Sequence, residues 1–352
     1  MLILKQSRFG KAPKKERLER ILKSPNYRNG EFKNLEETSV ISDGKSRFGV
    51  MMDFMFKKKI RVRPDKDIPV VMTDIKALDP NEDVLIWFGH SSYFIRIQGK
   101  TFLVDPVFSK YAAPFSFINK AFKGSTVYSA DNLPTIDYLV ITHDHWDHLD
   151  YHTVLDLKPK VKHVVCGLGV GQDFESWGFD TSKITELDWY DSLNIDNNWK
   201  LTATPARHYS GRSFKSNQTL WASYVLQTPS LCVFVGGDSG YGSHFKAIGE
   251  KFGPFDLAIL EQGQYDNNWN QIHLLPNELL KTVSDLMAKR VLPVHNSRFA
   301  LANHPWYEPL DKIAEDMKVS KVPILTPQIG EVVYLNDSTQ RFSKWWRVIE
   351  QN

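Results

Sequence analysis

Residues 138–150 read Tyr138-Leu139-Val140-Ile141-Thr142-His143-Asp144-His145-Trp146-Asp147-His148-Leu149-Asp150. An apolar run suited to a buried strand passes directly into a segment carrying three imidazoles and three carboxylates, with the spacing H-x-H-x-D-H. Packing gives no reason to collect so many ionisable groups where an apolar strand stops, because each costs desolvation energy unless it is paired or bound. Imidazole and carboxylate donors together suit zinc, manganese or iron. A strand end that turns into a helix presents residues two apart to one ion and the next pair to another. Leu149 and Asp150 are expected to begin that helix, with Asp147 and His148 in or beside its first turn.

Three other apolar runs end the same way. Leu201–Thr204 leads to His208, Leu231–Val235 leads through Gly236-Gly237 to Asp238, and Val291–Val294 leads to His295. The two glycines before Asp238 let the backbone approach a bound ion without interference from a Cβ.

Outward from these segments, short β-rich runs recur from about residue 84 at Val84–Phe88, Tyr93–Gln98, Thr101–Val104, Tyr138–Thr142, Lys162–Cys166, Leu201–Thr204, Leu220–Gln227, Leu231–Val235, Leu257–Leu260, Arg290–Val294 and Glu331–Leu335. Most are continuously apolar rather than alternating, which implies strands covered on both faces. Helical patterns fall at His152–Leu157, Asn277–Lys289 behind Pro276, and Glu308–Met317. Interleaved strands and helices of this kind predict an α/β layered architecture. No repeat of 20–50 residues suggests a solenoid.

The 352 residues, 42% hydrophobic and 24% charged, are ample for a large core and exclude collagen-like, disordered and disulfide-scaffold classes. The net charge of +3 hides an asymmetry: residues 1–66 hold 18 Lys and Arg against 8 Asp and Glu, and the remainder is acidic. Residues 1–76 are expected to form a basic extension, with one helix near Lys14–Leu22, and residues 77–352 the main domain. Met1–Leu4 is too short for a signal-peptide core, and no window reaches the ~18 apolar residues of a spanning helix, so a cytoplasmic location is expected. Cys166 and Cys232 lie in apolar runs and read as buried thiols.

Taken with Trp87-Phe88-Gly89-His90-Ser91-Ser92, Phe102–Ser109, Leu220–Tyr224, Gly237–Tyr241 and Phe299–Asn303, the metal-type motif resembles the metallo-β-lactamase superfamily, and within it the branch of N-acylphosphatidylethanolamine-hydrolysing phospholipase D and its bacterial relatives. The resemblance covers roughly residues 80–315. It implies an αββα four-layer sandwich with two divalent metal ions at one edge, zinc by default and manganese or iron as alternatives. His143, His145 and His208 would hold the first ion. Asp147, His148 and His295 would hold the second, with Asp238 bridging.

Of the remaining residues, His273 reads either as general acid or phosphate binder, or as a surface loop residue, with Asp147 the other catalytic residue. His90 and Asp105 read as supports of the ligands. Asp144 reads as a ligand support or a helix-start residue, and Asp150 as a helix-start residue. The implied activity is phosphodiester hydrolysis by hydroxide that two metals generate at neutral pH, releasing N-acylethanolamine and phosphatidate from an N-acylated phospholipid. The aromatic insert Tyr111–Lys123 suits peripheral membrane contact, cover for the sandwich or a homodimer contact. Three alternatives stay open: a lactonase of the L-ascorbate-6-phosphate type, a nuclease, and a non-catalytic docking protein with a structural metal. The acidic body and the lack of a recognisable RNA-binding domain argue against nucleic acid, and cysteine-free donor sets argue against a purely structural ion.

Overall fold

A computed structural model describes residues 6–41, 49, 60–213 and 215–350. Helix α1 (Lys15–Lys23) and a two-stranded hairpin, β1 (Tyr27–Arg28) with β2 (Glu31–Phe32), precede the main body. One sheet has seven strands in the order β15 (Val332–Tyr334), β3 (Val84–Trp87), β4 (Tyr93–Ile97), β5 (Lys100–Val104), β6 (Ile136–Ile141), β7 (Val161–Gly167), β8 (Ile184–Leu187). The second has six: β14 (Val291–Val294), β13 (Leu257–Glu261), β12 (Cys232–Val235), β11 (Ser223–Gln227), β10 (Trp199–Thr204), β9 (Ser192–Asp196).

The α/β sandwich expected from the sequence is the fold observed. Every residue of β3, β4, β13 and β14 is buried, so the continuously apolar runs are strands covered on two faces. Covering helices are α2 (Tyr151–Leu157), α3 (Gly171–Ser176), α4 (His244–Phe252), α5 (Leu279–Asp285), α6 (Glu308–Val319) and α7 (Trp346–Glu350).

Strand direction decides where the chemistry falls. β3 and β5 are both antiparallel to β4, and β5, β6, β7 and β8 run parallel to one another. In the other sheet β12, β13 and β14 run parallel, and β10 joins their direction through antiparallel β11. The carboxyl ends of β3, β5 and β6 therefore face one edge of the first sheet, and those of β10, β12, β13 and β14 one edge of the second. Backbone bonds join the two edges: His90 N to Asn296 O at 2.8 Å, His295 N to His90 O at 2.9 Å, and Ala222 N to Thr142 O at 2.9 Å.

Several expectations need correction. The helix predicted over Asn277–Lys289 is a 3₁₀ turn, Pro276–Glu278, followed by the shorter α5. It stops before Met287, which takes φ 51°, and Lys289 N already bonds to Phe255 O on the way into β14. Helix α2 begins at Tyr151, so Asp147 and His148 lie in the turns before it. The run predicted as a strand from Leu220 joins its sheet only at Ser223, because Leu220 N and Ala222 N bond to Leu168 O and Thr142 O. Strands β1, β2, β8 and β9 and helices α3, α4 and α7 went unpredicted; β8 is half polar, and β9 alternates with only Leu193 and Ile195 apolar, so neither is a continuously apolar run. Cys166 is a buried free thiol as expected, whereas free Cys232 is only half-buried.

Candidate active site

The strand-end residues meet at the shared edge. His143 follows β6, His208 follows β10, Asp238 follows β12 and His295 follows β14. Their donor atoms fall in two four-residue groups, each within 4.8 Å: His143, His145, His208 and Asp238 in one, and His90, Asp147, His148 and His295 in the other; Asp238 and His295 also form a third such group with His273. Asp238 stands between the first two. Its Oδ2 lies 3.9 Å from His143 Nε2 and 3.7 Å from His208 Nε2, and its Oδ1 lies 3.2 Å from His148 Nε2 and 3.3 Å from His295 Nδ1. The structure thus brings together all seven residues expected as ligands, with one carboxylate oxygen toward each group.

The donor chemistry fits bound cations. His208 Nδ1 donates to Ile272 O at 2.9 Å, and His143 Nδ1 lies 3.0 Å from Thr142 Oγ1, which leaves both Nε2 lone pairs aimed inward. They face the same atom, His145 Nδ1, at 3.2 Å and 2.9 Å. Burial, with the neighbouring imidazoles adding to it, holds His143 well below the ordinary histidine range; burial also dominates at His208. A neutral His145 offers at most one proton there to two lone pairs, and its own buried Nε2 lacks a partner. Among the described residues the buried His295 Nε2 likewise lacks a hydrogen-bond partner, and within hydrogen-bonding distance His148 Nε2 meets only Asp238 Oδ1, at 3.2 Å. A divalent cation in each group would take up these lone pairs.

Charge balance in the second group is different. Burial opposes a proton on His148, but Asp238, Asp147 and Asp105 outweigh it and push His148 well above its ordinary value. Burial would raise Asp238, yet His148 and His295 pull it well below the usual carboxylate range. A cation binding here would displace the proton between them.

Second contacts set the ring orientations. Asp105, after β5, accepts from Thr142 N at 2.8 Å, from Thr142 Oγ1 at 2.5 Å and from His148 Nδ1 at 2.7 Å. His90 Nε2 lies 2.9 Å from Asp147 Oδ2, and Ser91 Oγ lies 2.9 Å from His295 Nδ1. His90, Asp105 and His295 take φ of 54°, 41° and 68°, a left-handed backbone that residues other than Gly uncommonly adopt and that clusters at functional sites.

Asp144 and Asp150 act elsewhere. Asp144 accepts from Gly211 N at 2.7 Å and Thr219 Oγ1 at 2.8 Å, and so ties down the loop after His208. Asp150 stands just before α2, where its side chain accepts from Ser109 N at 3.1 Å and from the Thr153 hydroxyl.

His273 lines the site rather than an outer loop, 5.0 Å and 5.5 Å by ring centroid from His208 and His295. Its Nδ1 donates to Glu261 Oε2 across 2.7 Å. Burial pushes Glu261 up to about 7; at His273 burial is outweighed by Glu261, which drives the imidazole up to about 9. Glu261 escaped the sequence reading, although it ends β13 as His295 follows β14, and the same strand-end signal applied to Leu257–Leu260 would have found it. Ser91 and Asn34 carried no comparable local signal.

Above these groups opens a cleft of about 610 Å³ with His145, Asp147, His208, Asp238, His273 and His295 at its polar end. Val40, Ile41, Ala112, Trp146, Trp269 and Leu301 form apolar walls. A family model described as the Beta-lactamase superfamily domain matches residues 100–296, over half of the chain. The chain belongs to the metallo-β-lactamase superfamily. It is 35% identical over 331 residues to an uncharacterized protein of Mycobacterium bovis, covering 92% of this chain and 88% of that one. To N-acyl-phosphatidylethanolamine-hydrolyzing phospholipase D 1 of Caenorhabditis elegans it is 30% identical over 268 residues, covering 71% of this chain and 75% of the relative. A possible metal-dependent hydrolase from Veillonella parvula matches the fold at TM-score 0.57 and 17% identity, covering 72% of this chain and 99% of that one. Fold, relatives and donor clusters together identify a metal-dependent hydrolase.

Proposed function

We propose that this superfamily member is a phosphodiesterase acting on an N-acylated phosphatidylethanolamine, from which it releases an N-acylethanolamine and phosphatidate. The observation that carries this reading is the pair of donor groups joined by Asp238 beneath a cleft with apolar walls. The similarity to the nematode phospholipase supports the substrate class. His143, His145 and His208 are assigned to one ion and Asp147, His148 and His295 to the other, with Asp238 shared; zinc suits such imidazole-rich mixed sites best.

When bound, the ions supply activation of a water nucleophile and neutralisation of charge developing on the phosphoryl oxygens. The chain's own residues supply the rest. Glu261 holds His273 by Nδ1, so its Nε2 is free to meet the substrate and to carry a proton to the departing alkoxide. The walls formed by Ile41, Trp146 and Leu301 exclude water from the reacting end and accept an acyl chain.

The insert supports contact with a lipid surface. Phe115 and Phe117 stack at 5.7 Å, Phe117 is 72% exposed, and exposed Lys110, Lys120 and Lys123 flank them. Apolar side chains beside lysines suit the interface of an anionic bilayer. No helix among the described residues is long and apolar enough to cross a membrane.

The test is mass spectrometry of products from zinc-loaded protein on vesicles of N-acylphosphatidylethanolamine, with a sugar-phosphate lactone in parallel. Expected is N-acylethanolamine release that Asp238→Asn abolishes. Turnover of the lactone with none of the lipid would move the reaction from a phosphoryl to an acyl centre and refute the proposal.

A further inference from the structure

The composition sets residues 1–76 apart as a basic extension, and the matched family model begins only at residue 100. The described part of this segment is nonetheless tied closely to the body. Arg17 forms 2.6 Å ion pairs with Glu186 and Glu175, Lys11 N donates to Asp173 Oδ1 at 2.9 Å, and Arg8 donates to Pro114 O at 2.6 Å. Its most consequential contact lies beyond the β1–β2 hairpin.

Asn34 faces the backbone of His208. Its Nδ2 donates to His208 O at 2.8 Å, and its Oδ1 accepts from His208 N at 3.0 Å. The same Oδ1 accepts from Trp221 Nε1 at 3.1 Å. An amide side chain here completes a peptide group as a neighbouring strand would. His208 needs this because it lies four residues beyond the last residue of β10, where the sheet ladder no longer pairs its N–H and C=O.

The ring is held from the other side, by Nδ1 to Ile272 O. That loop too is tied to the arm, since Ser39 N donates to Gln271 Oε1 at 2.8 Å. Thr38 Oγ1 accepts from Arg207 Nε at 3.0 Å, and the next residues, Val40 and Ile41, line the cleft. Of the four hydrogen bonds that His208 makes, two come from a single arm residue 174 positions away.

We propose that Asn34 is a positioning residue of the metal centre and that the arm, through residues 34–41, is a working part of the hydrolase site. This rests on the metal-centre reading given above. Contacts that orient a ligand typically govern metal affinity by 10–100-fold.

The experiment is zinc binding by the full chain, measured by competition with a chromophoric chelator, with bound zinc counted by mass spectrometry and the thermal midpoint of the metal-free protein as a folding control. Wild type should hold two ions; a chain that holds none overturns both the metal-centre reading and this inference. Asn34→Ala should bind one ion roughly tenfold or more weakly. Asn26→Ala provides the comparison: it removes another bond from arm to body, Nδ2 to Asp188 Oδ1 at 2.7 Å, which touches no site residue, and should leave both affinities unchanged. Should Asn34→Ala not fold, Asn34→Asp carries the test, since it keeps the acceptor for His208 N and Trp221 and removes the donor to His208 O. Two zinc ions in wild type with undiminished affinity in the Asn34 variant would leave the metal centre standing and overturn the inference, as would an equal loss in Asn26→Ala.

Discussion

Replacing Asp105 by Asn tests whether one carboxylate orients a histidine in each donor group. A proton arrangement that satisfies every member of its network runs from His143 Nδ1–H to Thr142 Oγ1, from the Thr142 hydroxyl to Asp105 Oδ2, and from His148 Nδ1–H to the same Oδ2. Asp105 Oδ1 accepts from Thr142 N. Both oxygens of the carboxylate are thus turned toward donors, and both histidines are left with Nε2 facing the centre. An asparagine has one oxygen, so whichever way it is turned its NH₂ meets at least one donor.

Burial of a group left without its partner costs about 1–3 kcal/mol, and bonds to a charged group contribute about 1.5–3 kcal/mol each. Relief of the desolvation that raises Asp105 offsets part of this. A net destabilisation of about 2–4 kcal/mol is expected. The larger effect falls on metal binding: loss of the orienting acceptor should weaken both ions, each by about 10–100-fold. Chelator competition with zinc and denaturant unfolding of the metal-free protein measure the two quantities separately. Asp137→Asn, a carboxylate in the same sheet paired with exposed Lys162, should change neither metal affinity. If Asp105→Asn bound both ions as wild type does, the orienting role assigned to this network would be wrong.

Asp238→Asn should drop bound zinc from two ions per chain to one or none, counted by mass spectrometry, since the bridging oxygens face both groups. Glu261→Gln should lower kcat by the same order as His273→Ala while leaving zinc content unchanged; a loss of zinc would reassign the pair to metal holding. Asp173, buried and pushed up to about 7 by desolvation, supplies a pH test. Its folded pKa exceeds the unfolded value of 3.8, so its contribution is full below about pH 4 and is lost as pH rises toward 7. Asp173→Asn should therefore flatten the stability decrease between pH 5 and 8 by about 2–3 kcal/mol in denaturant titrations; an unchanged slope would count against a protonated Asp173. Phe117→Ser should reduce turnover on vesicles several-fold and spare a short soluble diester, and equal losses on both would refute contact of the insert with lipid.

Much of the site is legible along the chain because its logic is local. Each ligand candidate follows an apolar strand within one to seven residues, and a polar group there stands out against the run before it. The strands were legible for the same reason, except the two-residue β1 and β2 and the polar-rich β8 and β9. The short helix α3 begins with glycine and holds no long periodic pattern. Helix α5 was overextended because the residues after Asp285 keep helical composition while Met287 takes a left-handed backbone.

By itself the sequence determined an α/β layered architecture and a cluster of strand-end imidazoles and carboxylates, since strand ends and H-x-H-x-D-H spacing are contiguous signals; the sandwich and the division of seven ligands into two sets came from the family resemblance that those motifs carry. Only the tertiary structure decided that His273 faces the centre, that Glu261 holds it, that Asp105 serves both donor groups, and that Asn34 clasps His208. Those partners come together because the parallel strands of two sheets deliver their carboxyl ends to one edge, and because the arm crosses to meet them. Residues brought together in this way lie in separate segments of the chain, 174 positions apart for Asn34 and His208, so no local periodicity or spacing records their contact.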